Sequence, residues 1–177
     1  MAAPYIIALD PATTTGICHG YVGSKPRLLA QKFRRSTLDT EEEIYGAAVA
    51  FFAGFLKDRT PDLVCIEAPI MATWGKTNAQ TTAITRGLYA IFTGIAGAKG
   101  ITVRRADIGT WRKWFLGRGN LKGPEAKRRC VALCHQLGWT APDHNAAEAA
   151  GIWSWAGSQV DPRGVQRIEP LFAEAAE

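Results

Sequence analysis

Asp10 and Glu67 stand where a carboxylate can do chemistry. Asp10 closes the apolar run Ile6-Ile7-Ala8-Leu9, and Glu67 closes Leu63-Val64-Cys65-Ile66, with Pro11 and Pro69 stopping the chain just beyond. An unbroken apolar run reads as a strand covered on both faces, in the middle of a sheet. An acid at the exit of such a strand is fixed at the rim of the core. If the two strands are parallel neighbours joined by a crossover, the two carboxylates lie side by side. They then repel each other unless a cation sits between them.

A third acid, Glu148, follows in the stretch Asp143-His144-Asn145-Ala146-Ala147-Glu148. Pro142 suits the first turn of a helix. The small residues after Glu148 let that helix lie tightly on the sheet and bring its acid to the strand ends. A fourth ligand is sought just upstream. Asp143 is five residues before Glu148, about 140° around a regular helix, so it reaches a shared cation only from the opening turn. His144, four residues before, falls on the same face as Glu148, and Asn145 is three before. Asp143 is favoured, with a helix-cap role as its structural alternative.

The elements that must position these acids are legible in part. Ile17 to Val22 and Leu28 to Phe33 read as strands joined by the Gly23–Pro26 turn, an antiparallel meander continuing from the first strand. Thr40 caps a helix with Glu41, Glu42 and Glu43 in its first turn, and Glu43 can close a capping box. Ile44, Ala48, Phe51, Phe52 and Phe55 repeat at helical spacing, so that helix lays one face on the sheet. A second long helix over about 77–99 carries a stripe of small residues, Ala83, Gly87, Ala90, Gly94 and Gly97. Such a stripe implies close approach of another backbone, in the sheet or in a second subunit. Ile101 to Arg105 is a fifth strand, followed by helices over about 108–116 and 124–137.

Charge separates these elements. The 177 residues carry a net charge of +5. Between Lys99 and Arg129, ten basic residues face two acidic ones, Asp107 and Glu125. That is the footprint expected of a polyanion site, with a solvated basic face as the structural alternative. Its candidate contacts are Arg112, Lys113, Arg118, Lys122 and Lys127. The loop Gly117–Gly123 would let backbone approach phosphate, although it lacks the GxxxxGK[ST] pattern of a P-loop. Trp74 and Lys76, in the loop after Pro69, could form a stacking platform or wedge for DNA, with a lid over the core as the alternative. Cys18, Cys65, Cys130 and Cys134 read as buried thiols, with too few ligands at zinc spacing. The length suits one domain over residues 1–160 with a tail over 161–177. No apolar run approaches a membrane span, and no signal peptide is expected at the start, so a cytoplasmic address is expected.

Taken together, Leu9-Asp10-Pro11 with Thr15-Gly16, Ile66-Glu67, the segment Gly117 to Lys127, and Asp143-x-Asn145-x-x-Glu148-Ala149 resemble the RuvC-type Holliday junction resolvases of the phage-borne kind. Those enzymes belong to the RNase H-like superfamily, and the match covers about residues 5–155. The resemblance implies an α/β fold with a mixed five-stranded sheet, order 3-2-1-4-5, and helices on both faces. It also implies a homodimer that binds four-way DNA junctions and nicks opposed strands, in the cytoplasm of a bacterial or virus-infected bacterial cell. The implied reaction is phosphodiester hydrolysis with two Mg²⁺ ions, or Mn²⁺ as a substitute. Asp10 would bridge the ions and Glu67 and Glu148 would each bind one, with Asp143 (or His144 or Asn145) as the fourth ligand. Lys122 or Lys127 would stabilise charge on the scissile phosphate.

The last motif departs from the family, which has two acids, or a His and an Asp, three residues apart. Here Asn145 stands three before Glu148, and the final acid is Glu where the family has Asp. Two other functions are therefore weighed: a non-catalytic protein that binds branched DNA, and an RNase H-like nuclease acting on other branched DNA or on RNA. A sugar-kinase or actin-like ATPase, suggested by Thr13-Thr14-Thr15 after Asp10, needs two such halves and more chain than this.

Overall fold

A computed structural model of the chain describes residues 2–69 and 79–165. Its elements run β1 (Tyr5–Asp10), β2 (Thr14–Tyr21), β3 (Arg27–Lys32), α1 (Glu41–Asp58), β4 (Leu63–Glu67), α2 (Ala79–Ala98), β5 (Val103–Ala106), α3 (Ile108–Leu116), α4 (Gly123–Gln136) and α5 (His144–Val160). Trp74 and Lys76 lie outside the described residues, as does most of the segment assigned to the tail. None of the described helices is long and apolar enough to cross a membrane.

The five strands form one sheet in the order β3-β2-β1-β4-β5. β1 pairs antiparallel with β2 and parallel with β4, and β4 pairs parallel with β5. Every residue of β1 is buried, as its unbroken apolar run requires of a central strand. Side chains alternate between the two faces of a strand. Ile7, Leu9, Val64 and Ile66 enter the core under α1 and α2, with Phe52, Leu88 and Phe92. Ile6, Ala8 and Cys65 enter the opposite core, with Trp111 of α3, Cys130 of α4 and Ile152 of α5. By that parity Asp10 and Glu67 belong to the second face, where α3, α4 and α5 lie.

Helix ends follow local chemistry. Thr40 caps α1, and the reciprocal bonds of a capping box join it to Glu43. α3 ends at Gly117, whose φ of 76° is left-handed. The opening of α5 differs from expectation. Pro142 precedes the helix, and Asp143 is the N-cap, accepting from the Ala146 N–H at 2.9 Å. The small-residue stripe of α2 is packed at one point, where a Cβ on Gly87 would overlap the Tyr45 ring of α1. A Cβ on Gly94 or Gly97 would meet nothing within 4 Å among the described residues.

Candidate active site

The register Leu9↔Ile66 sets Asp10 and Glu67 at the same end of adjacent parallel strands. Asp10 is 9% exposed. The turn after it is closed by Thr15, whose hydroxyl donates to the Ala12 carbonyl at 2.7 Å. Glu148 reaches the same pocket from α5, which is buried along most of its length against β1 and β2. α5 approaches this closely because Gly16, the partner of Asp10 across the β1–β2 ladder, has no side chain. A Cβ there would overlap the Asn145 carbonyl.

The three carboxylates feel one another. Burial first, and then repulsion from Glu67 and Glu148, push the Asp10 carboxyl well above the usual carboxylate range. The positive charges of Lys127 and Arg112 partly offset this. Glu67 is pushed up to about 7, chiefly by burial and also by Glu148. The bond from Trp111 opposes that shift, as do the charges of Arg112 and Lys127. Trp111 is fully buried and donates from Nε1 to Glu67 Oε2 at 2.8 Å. Arg112, the next residue of α3, donates from Nη2 to Glu148 Oε1 at 2.8 Å, with both side chains largely buried.

The sequence-derived candidates thus divide. Asp10, Glu67 and Glu148 form one electrostatic cluster, with Lys127 half-buried beside it. Lys113, Arg118 and Lys122 are exposed. Asp143 is engaged as a helix cap, with its second oxygen accepting from Asn145 Nδ2 at 3.2 Å. His144 is exposed and lines a hollow with Lys127, Val131 and His135 of α4. Arg112 departs most from its assignment: it points into the acids and not toward an external phosphate. No local sequence pattern announces the bond from Trp111 to an acid 44 residues away. The glycine loop also has a packing cause, since a Cβ on Gly119 would collide with the Gly109 carbonyl of α3.

In donor type the cluster suits hard divalent cations, which take carboxylate oxygens. The repulsion that raises Asp10 and Glu67 is what such a cation relieves. Among the described residues, however, no three His, Cys, Asp or Glu side chains are grouped closely enough to hold an ion as they stand. Arg112 holds one Glu148 oxygen, and Trp111 holds one Glu67 oxygen.

Trp111→Phe tests the Glu67 contact. The indole donor lowers the Glu67 pKa, so its loss should raise that value above the wild-type level, by about 1 unit or more for a charge-assisted bond. Carboxyl-resolved NMR titration of metal-free protein reads it directly. An unmoved Glu67 would mean that the bond contributes nothing to its charge state.

A mixed sheet in the order 3-2-1-4-5, with α1 and α2 on one face and α3, α4 and α5 on the other, defines an RNase H-like α/β fold. Solved structures that share this fold include RuvC and a yeast resolvase. RuvC of Thermus thermophilus superposes with a TM-score of 0.65 at 20% identity, over 88% of this chain and 95% of that one. T. thermophilus RuvC in complex with Holliday junction substrate gives 0.65 at 19% identity, over 84% and 90%. The yeast mitochondrial Holliday junction resolvase Ydc2 gives 0.61 at 11% identity, over 89% and 80%. At the level of sequence, no protein family and no curated protein matches the chain.

Proposed function

We propose that this protein is a structure-selective endonuclease that resolves four-way DNA junctions by hydrolysing opposed phosphodiester bonds with Mg²⁺. The observation that carries the reading is the mutual repulsion of Asp10, Glu67 and Glu148 at one end of a sheet whose fold RuvC shares, beside the cations of α3 and α4. Asp10, Glu67 and Glu148 would hold two Mg²⁺ or Mn²⁺ ions, and Asp143 could join them by giving up its cap. Bound there, divalent ions would activate water and stabilise charge at the leaving oxygen. The chain's own groups do the remaining work. Trp111 orients Glu67. Lys127 faces the acids and is placed to stabilise charge on a phosphate oxygen. Lys113, Arg118 and Lys122 supply exposed charge for backbone phosphates. Two opposed nicks need two such sites, which a homodimer provides. Among the described residues nothing packs on Gly94 or Gly97 of α2, which leaves that side for a partner. The proposed setting is the cytoplasm of a bacterial or virus-infected bacterial cell.

The test is cleavage of a synthetic four-way junction with Mg²⁺, compared with flap, linear duplex and RNA hybrid. Paired nicks in the junction support the proposal, whereas preference for another substrate moves the activity elsewhere in the superfamily. One observation favours a second reading, a branched-DNA-binding protein that does not cut: Glu148 is paired with Arg112 and the acids are not grouped for an ion. Junction binding without nicks at any Mg²⁺ or Mn²⁺ concentration would establish it.

Binding itself should weaken steeply with salt, because each phosphate contact releases counterions. Replacing Arg118 and Lys122 together by Ala should flatten the slope of log K against log salt by about 2. Fluorescence anisotropy between about 50 and 200 mM salt measures this, and an unchanged slope would place the DNA face away from the glycine loop.

A further inference from the structure

Resting on the reading of the carboxylates as metal ligands, we infer that Arg112 is a built-in counter-ion, occupying Glu148 in the metal-free protein and leaving it when a divalent cation binds. The inference begins with which partner is able to move. Glu148 sits near the start of α5, with Ala146, Ala147, Ala149 and Ala150 around it fully buried, so its backbone is fixed. Arg112 reaches it on a long side chain from α3, and little else holds the guanidinium. Its Nε is buried without a partner among the described residues, and Nη1 makes one long contact, 3.5 Å to the Leu121 carbonyl. Its Cζ lies 5.3 Å from the centroid of the Trp111 ring. One strong bond, to Glu148 Oε1, therefore keeps it in place.

Physics asks for such a group. Three carboxylates in a poorly hydrated pocket are unfavourable without positive charge, and an uncompensated buried charge is strongly destabilising. Lys127 offsets part of the repulsion, and Arg112 pairs directly. A divalent ion and a guanidinium cannot both satisfy the same Glu148 oxygen, so each lowers the other's occupancy of the pocket. Arg112 would thus let the fold tolerate its acids before metal arrives, at a cost in metal affinity.

Calorimetric titration of Mg²⁺ and of Mn²⁺ into Arg112→Met and wild-type protein tests this. The variant should bind the ion about tenfold more tightly, within the usual range of coupling between two sites. Its metal-free melting temperature should fall, and saturating Mg²⁺ should close the gap to wild type. A merely structural role for Arg112 predicts lower stability with unchanged or weaker ion binding, and that result overturns the inference. Should Arg112→Met fail to fold, the wild-type protein still decides. The side-chain N–H signals of Arg112 must shift on Mg²⁺ saturation, and if they stay fixed while the ion binds, the inference is wrong. Absence of ion binding in both proteins would instead sink the metal reading on which it rests.

Discussion

Asp10→Asn should abolish junction cleavage while making the metal-free protein more stable. The two effects share one cause. Asp10 ends the central strand, is buried, and is repelled by both Glu67 and Glu148. Asparagine keeps the shape and removes the charge. Its amide can donate to the neighbouring carboxylates, so the polar group need not be left unpaired. Loss of a shared ion ligand should cost at least about 10³-fold in rate, as removal of central catalytic groups does elsewhere. Relief of repulsion should add about 1–2 kcal/mol, or roughly 2–8 °C in Tm for a chain of this size.

The pH dependence provides an independent check with a definite sign. A carboxyl whose folded pKa lies above its unfolded value binds its proton more tightly in the fold. Stability is then highest below the unfolded pKa and is lost as pH rises toward the folded one. For Glu67 that window runs from 4.5 to about 7. Asp10, also raised, adds a loss that begins near 3.8. Melting with a chelator present should therefore show wild type weakening across this range. Asp10→Asn should weaken less, with the two proteins converging at the acid end. A variant less stable than wild type at neutral pH would mean that Asp10 is not under electrostatic stress. Retained nicking would remove it from the active site.

The strands and most helix boundaries are legible in the sequence because their causes are local. The run from Ile6 to Leu9 marks a strand covered on both faces, the Thr40–Glu43 pair marks a helix start, and Gly117 marks a helix end. The order of the sheet is a different matter: it follows from the resemblance and not from periodicity, since pairing partners are distant in the chain. Within the site, the three acids are found from their strand and helix contexts, whereas the groups that control their charge are not. Arg112 looks like its basic neighbours along the chain. What turns it inward is that Glu148, 36 residues later, comes to lie beside α3. Trp111 is a core side chain, yet its indole N–H meets the Glu67 carboxylate at the end of β4. Asp143 illustrates the reverse: a capping preference written locally, in competition with a ligand role that departs from the family's three-residue spacing.

Gly16→Ala should be the most damaging conservative change outside the acids themselves. Gly16 faces Asp10 across the β1–β2 ladder, and the first turn of α5 rests directly on it. An added methyl would overlap the Asn145 carbonyl and lie 2.8 Å from the Ala146 nitrogen. Both are backbone atoms, so no rotamer change gives relief. That same Ala146 N–H is the donor to the Asp143 cap, so lifting the helix also strains its N-terminus. Overpacking of this kind costs about 1–3 kcal/mol and at times more. Function should suffer further, because Glu148 is carried by the segment that must move, whereas Asp10 and Glu67 stay with the sheet. A displacement of about 1 Å at a reacting centre can cost on the order of 10²-fold. The expected outcome is a folded protein with a lower Tm and weaker Mg²⁺ binding, cutting at least about 10²-fold more slowly, with junction affinity at low Mg²⁺ nearly unchanged. That combination separates misplacement of one ligand from general unfolding, which would lower junction affinity as well. If Gly16→Ala melts and cuts like wild type, the close seating of α5 on β2 is not what brings Glu148 to Asp10.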